Sequence, residues 1–229
     1  MHLMVAMAAI EVIQIRMGMV SSFIVRQEGV ILIDTGLPGN EEVILRAMEK
    51  AGVAPDDVRL ILLTHGHGDH AGSAAELRAK TGARVAIHTN DAGMIRTGNQ
   101  GRLNATGLTG LVVGLMIGAG RKPGFPSLEP DILLTDLMDL KPYGIQGMVI
   151  PTPGHTPGSV SVILGNGDAI VGDLIVPTIP SGRPRLPFWA DNINDAKSSV
   201  GRVLSYHPKR IFLAHGGPFE AELVKRSIS

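Results

Sequence analysis

The chain has 229 residues, 44% hydrophobic and 18% charged, a balance that suits a packed globular protein and excludes a disordered one. Its 21 basic and 21 acidic residues cancel, so the basic footprint of a nucleic-acid binder is missing. Without a cysteine, both disulfides and thiolate metal ligands are excluded. In chain order, the opening ten residues are apolar but carry no basic flank, so they read as the start of the fold, with cytoplasmic placement expected. Ile13, Ile15 and Met17 alternate with Gln14 and Arg16, the period of a half-buried strand. Strands are expected at 22–26 and 30–33, around a turn at Glu28 and Gly29. Residues 40–51 read as a helix, with Asn40 as cap, Glu41 and Glu42 at its positive end and Gly52 as its stop. A strand at 59–63, a helix at 70–80 and a strand at 84–87 follow. Residues 91–130 break this rhythm as a glycine-rich insertion with a helix-like piece at 109–119, too short to span a bilayer. Short strands at 148–150, 159–164, 169–171 and 211–214 and a helix at 191–205 complete the chain. Alternating strands and helices with two strand clusters imply an α/β fold with two sheets, one domain over residues 1–229.

Several apolar strands end just before a polar side chain. Strand 59–63 leads to His65, His67, Asp69 and His70; strand 148–150 leads to His155; strand 169–171 leads to Asp173; and strand 211–214 leads to His215. Side chains just past strand ends converge on one sheet edge, where α/β proteins build their sites. The densest signal is Thr64-His65-Gly66-His67-Gly68-Asp69-His70. Imidazole and carboxylate suit zinc and other borderline divalent ions, and the intervening glycines let the backbone turn tightly. His88 reads as a structural residue, His207 as solvated and His2 as disordered.

That motif, followed by Pro153-Gly154-His155-Thr156-Pro157-Gly158-Ser159, by Gly172-Asp173, by His215-Gly216 and preceded by Asp34-Thr35-Gly36, resembles the metallo-β-lactamase superfamily. The resemblance runs from about residue 12 to about residue 217 and implies a four-layer αββα sandwich. It places His65, His67 and His155 on one metal ion, Asp69, His70 and His215 on a second, and Asp173 between them. Asp34 matches a residue supporting the ligands. The implied cofactor is two divalent ions, zinc first, with iron, manganese, cobalt and nickel also suited to these donors. The implied chemistry is attack by a metal-activated hydroxide, with Asp69 orienting it and passing a proton to the leaving group.

Absent features narrow the activity. Cysteine-ligated β-lactamases need Cys where Asp173 stands, and di-iron oxygen reductases need an acidic residue in place of His67. Glutathione thioesterases of this family add a helical region after the last ligand, but only 14 residues follow His215. A small-molecule ester, lactone or thioester substrate remains the first reading. The alternatives are a mononuclear iron persulfide dioxygenase and a phosphodiester hydrolase; a binding-only relic is a third. In the insertion, Gly110, Gly114 and Gly118 share one helical face, and Leu111, Leu115 and Met116 offer apolar surface. Packing on the chain's own sheet, a homodimer contact, or the wall of an acyl pocket together with Phe188 and Trp189 are the readings for this segment.

Overall fold

Strand alternation divides the apolar residues among three layers of core. The computed structural model describes residues 8–101, 103–117, 124–178 and 181–228. The first sheet has the order β1 (Glu11–Met17), β2 (Val20–Arg26), β3 (Val30–Ile33), β4 (Val58–Leu62), β5 (Arg84–His88) and β6 (Ile132–Leu134). The second contains β7 (Met138–Asp139), β8 (Gly147–Pro151), β9 (Val160–Leu164) and β10 (Asp168–Ile170). A small hairpin of β11 (Val176–Pro177) and β12 (Pro184–Arg185) follows, and β13 (Arg210–Phe212) and β14 (Phe219–Glu220) return to the second sheet. Phe23, Ile31, Ile33, Leu60 and Leu62 face Val149, Val162, Ile170 and Phe212 between the two sheets. Their sequence neighbours Ile24, Leu32, Ile61 and Leu63 point the other way, on to Ile44, Met48 and Leu77. These three belong to α1 (Glu41–Lys50) and to α3 (Ala74–Thr81), which follows the short α2 (Gly68–Ala71).

On the far face, Ile150, Ala169 and Ile211 pack with Val200, Val203 and Val224. Those valines come from α6 (Ile193–Leu204) and α7 (Ala221–Ile228), after α4 (Ala92–Thr97) and α5 (Gly107–Ile117) in the insertion. The layers are therefore helix, sheet, sheet, helix, as expected from the resemblance. Among the described residues no helix is long and apolar enough to cross a membrane.

Three local expectations are corrected. The helix expected at 70–80 is two helices broken at Gly72 and Ser73. The carbonyl of His70 accepts from the Thr35 amide (2.6 Å) and the Thr35 hydroxyl (2.7 Å), and the Gly72 amide donates to Gly36 (2.9 Å), so the strand-end loop captures the backbone groups that would continue the helix. A Cβ at Gly72 would stand 2.4 Å from both the Gly68 carbonyl and Pro38. Asn40 occupies the start of α1 but makes no side-chain cap; its Oδ1 accepts from the Leu37 amide instead (2.9 Å). Finally, α5 does not bury its leucines on a sheet. Leu108 and Leu115 are 76% and 78% exposed, while Gly110 is buried. Gly118, Ala119, the Met116 side chain and His2 lie outside the described residues.

Candidate metal centre

Strands β3 to β6 run parallel, β10 and β13 run parallel, and β8 has the same sense as β10 because both are antiparallel to β9. The C-terminal ends of β3, β4, β8, β10 and β13 each release one loop of the site. Asp34 follows β3; His65 and His67 follow β4, with Asp69 and His70 on α2; His155, Asp173 and His215 follow β8, β10 and β13. The seven candidate ligands named from the motifs all meet here, with Asp34 hydrogen-bonded to His70 behind them. His65 Nε2 and His155 Nε2 each lie 3.0 Å from His67 Nδ1. Asp173 Oδ1 lies 3.3 Å from both His70 Nε2 and His215 Nε2, and its Oδ2 is 3.6 Å from His155 Nε2. Asp69 Oδ2 stands 3.5 Å from His215 Nε2 and 3.9 Å from His70 Nε2. Three overlapping compact triads result: His65, His67 and His155 on one side, Asp69, His70 and His215 on the other, and His65, His70 and Asp173 between them.

The outer hydrogen bonds decide which ring nitrogens face inward. His155 Nδ1 donates to the Trp189 carbonyl (2.7 Å) and His215 Nδ1 to the Met19 carbonyl (2.6 Å). His70 Nδ1 donates to Asp34 Oδ2 (2.9 Å). Thr64 gives its one hydroxyl proton to the same carboxylate (2.7 Å), so it accepts from His65 Nδ1 (3.2 Å). Four imidazoles are thereby fixed with Nδ1 protonated and Nε2 turned into the cluster, the arrangement that outer partners impose on metal-ligating histidines. His70 Nε2 and Asp173 Oδ1 are buried without a hydrogen bond. A buried ring nitrogen and carboxylate oxygen left without a hydrogen bond are costly, and a positive charge between them, a ring proton or a divalent cation, satisfies both. The donor set therefore fits divalent ions.

Electrostatics divide the cluster into two halves. Burial, with His70, His67 and His155 close by, holds His65 well below its ordinary pKa. Burial and His155 do the same to His67, so both rings are neutral donors. Burial also acts to lower His70 and His215, but the carboxylates outweigh it. Asp173, Asp34 and Asp69 hold His70 well above its ordinary value, and Asp173 with Asp69 lifts His215 to about 10. Asp69 and Asp173 are depressed in return; burial opposes this, and the His70 and His215 charges overcome it.

Sequence reasoning missed Asp91, which it placed at the start of a polar loop. Its side chain is buried and joins the loop after β4 to the loop after β8. Oδ2 accepts from the Gly66 amide (3.0 Å) and the Thr156 hydroxyl (2.7 Å), and Oδ1 from the Gly158 amide (2.8 Å). Burial pushes its pKa up against these three bonds. No local signal marks it, because its partners lie 25 to 67 residues away. Gln100 supports the motif similarly, accepting from the Gly68 amide (2.8 Å). His88 is buried and accepts from the Asn90 amide (3.2 Å), and His207 is exposed, as expected for both.

A model of the Metallo-beta-lactamase superfamily matches residues 15–215. The chain belongs to the metallo-beta-lactamase superfamily. Its relatives include a Bacillus subtilis protein named Uncharacterized protein YobT, 35% identical over 158 residues; the match covers 67% of this chain and 61% of YobT, less than two thirds of that relative. Another from Bacillus subtilis, named Probable metallo-hydrolase YqgX, is 29% identical over 198 residues, covering 86% of this chain and 83% of the relative. Among solved structures, the Rm3 metallo-beta-lactamase superposes with a TM-score of 0.65 at 25% identity, covering 88% of this chain and 74% of that one. Superfamily membership and this donor set make the site that of a metal-dependent hydrolase.

Proposed function

We propose that this superfamily member hydrolyses a small ester, lactone or thioester with two divalent metal ions, zinc first. The supporting observation is the fixed tautomer of four inward-facing imidazoles, with a buried, orphaned carboxylate oxygen between the two side triads. In this reading His65, His67 and His155 would hold one ion, Asp69, His70 and His215 would hold the other, and Asp173 would serve both. When bound, such a pair lowers the pKa of a shared water towards neutrality and polarises the scissile carbonyl.

The chain's own groups do the rest. Asp34 anchors His70 and the Thr64 amide (2.7 Å to Oδ1), which keeps the first turn of the motif from drifting. The side chains of Asp69 and His215 are 26% and 24% exposed, that of Asp173 is 11% exposed and that of His70 is fully buried, so Asp69 is the more open of the two carboxylate ligands. Its carboxylate takes the proton of the attacking water and passes it to the leaving group. Water adds to the carbonyl carbon, the C–O or C–S bond breaks, and the products are an acid and an alcohol or thiol.

The test is metal content of protein purified without added metal, paired with turnover of ester, lactone, thioester, β-lactam and phosphodiester substrates. About two ions per chain and ester-class turnover lost on chelation support the reading. One iron per chain with oxygen uptake and no hydrolysis overturns it. Asp69→Asn keeps its metal and loses at least about 100-fold in kcat; near-full turnover in that variant removes the proton-transfer role.

A further inference from the structure

Beside the metal cluster lies a cavity of ≈ 420 Å³, within the range of small-molecule sites. His67, Asp69, His155, Asp173 and His215 form its floor, and every other described lining residue is apolar or glycine. Met19, Leu103, Val113, Val176, Phe188 and Trp189 make most of the wall. No lysine or arginine lines it among the described residues. Arg185 is close by, 4.2 Å from the centre of the Phe188 ring, but stacks on that ring without lining the cavity.

The wall is built, not incidental. The Thr106 amide donates to the Phe188 carbonyl (2.8 Å) and the Thr106 hydroxyl to Pro187 (2.7 Å). A Cβ at Gly110 would stand 2.2 Å from the Phe188 carbonyl, so glycine lets α5 lie directly on this loop and carry Val113 into the cavity. The next carbonyl, of Trp189, orients His155. The insertion, the apolar wall and a proposed metal ligand are thus mechanically one unit.

We propose that this cavity seats an uncharged, apolar acyl chain of the substrate between α5 and the Phe188–Trp189 wall, and that Val113 sets the chain length accepted. A carboxylate or phosphate placed against this wall would lose hydration and gain no described partner. Each methylene buried there strengthens binding by up to about fourfold. For turnover, the inference rests on the ester-hydrolase reading above; for binding, it does not. The reaction remains ester hydrolysis and needs no reactant besides water.

Two measurements on the metal-loaded protein separate those dependences. The first is kcat/KM for straight-chain acyl esters from acetyl to decanoyl, each beside its counterpart with a terminal carboxylate. Rates rising with chain length to a plateau, carboxylate counterparts at least 100-fold slower, and Val113→Phe moving the plateau to shorter chains support the proposal. Equal rates along the series, or a preference for the carboxylates, overturn it. The second uses Trp189, the one tryptophan in the chain, as a reporter of binding. Its emission is titrated with straight-chain alkyl amides and with the same amides bearing a terminal hydroxyl. Saturable change that tightens with chain length and weakens with the hydroxyl supports the pocket even if no ester is turned over, in which case only the hydrolase reading fails. No saturable change, or affinities unaffected by length and hydroxyl, overturns the pocket.

Discussion

At the scale of single residues, the seven inward-facing donors depend on groups that touch no metal. Asp91 ties Gly66, next to His65 and His67, to Thr156 and Gly158 beside His155. Asp91→Ala leaves the Gly66 and Gly158 amides unpartnered and the Thr156 hydroxyl with Ser159 alone (2.8 Å), and a buried donor left unpaired costs about 1–3 kcal/mol. Metal affinity is expected to fall about 10- to 100-fold, the usual cost of losing an outer partner. Competition with a chelator of known affinity measures it, and an unchanged dissociation constant would refute the role. Asp91→Asn retains one acceptor oxygen and should recover part of the loss. Asp34 holds His70 in the same way, but it was legible in the sequence because Asp34-Thr35-Gly36 is itself a motif. Asp91 has no such local mark.

At the scale of elements, a loop cuts a helix and a carboxylate pins a strand. Gly72 marks the break between α2 and α3, where Pro38 packs against it. Gly72→Val forces that contact apart and should cost about 1–3 kcal/mol, the range for overpacking a tight site. A thermal or denaturant midpoint equal to that of the native chain would show that the loop yields freely. Asp131 accepts from the Val85 amide (2.9 Å) and pairs with Arg78 of α3. Partial burial acts to raise its pKa, but the Val85 amide, Arg78 and Arg84 overcome it and hold the carboxyl below its ordinary value. A depressed carboxyl stabilises the fold above its unfolded pKa, and that stability is lost as pH falls through the lower folded value. Asp131→Asn is therefore expected to lower the melting temperature at pH 7, with the difference from the native chain shrinking below about pH 4. A difference that stays constant down to pH 2 would assign the effect to shape alone.

For the whole molecule, the cluster gathers five histidines and two aspartates from loops between residues 65 and 215 on two different sheets. Bound metal cross-links those loops, and an unfolded chain cannot offer the same site, so binding free energy adds to folding free energy. At a free concentration 100 times the dissociation constant the gain is about 2.7 kcal/mol. Metal-loaded protein should therefore melt several degrees above the chelated form, by calorimetry at pH 7, and re-addition of zinc should restore the difference. Coincident melting curves would mean that the cluster binds no ion in solution.

The sequence by itself determined the two sheets and the types of side chain available to a metal, and its motifs implied the four layers through resemblance. Alternating Ile24, Leu32 and Ile61 with Phe23, Ile31 and Leu60 commits each strand to two buried faces, which only a sheet covered on both sides can satisfy. The HxHxDH run names its chemistry because the donors are adjacent in the chain, and the strand ends lead to the remaining three. Tertiary structure alone decided the rest. It cut the 70–80 helix with bonds from the backbone and the Thr35 hydroxyl of a loop about 35 residues earlier. It recruited Asp91, turned the Met19 and Trp189 carbonyls on to His215 and His155, and laid α5 on the Phe188 loop to wall the cavity. Each of those outcomes rests on a hydrogen bond or close approach between distant segments, and such contacts leave no period, spacing or composition for a local reading to find.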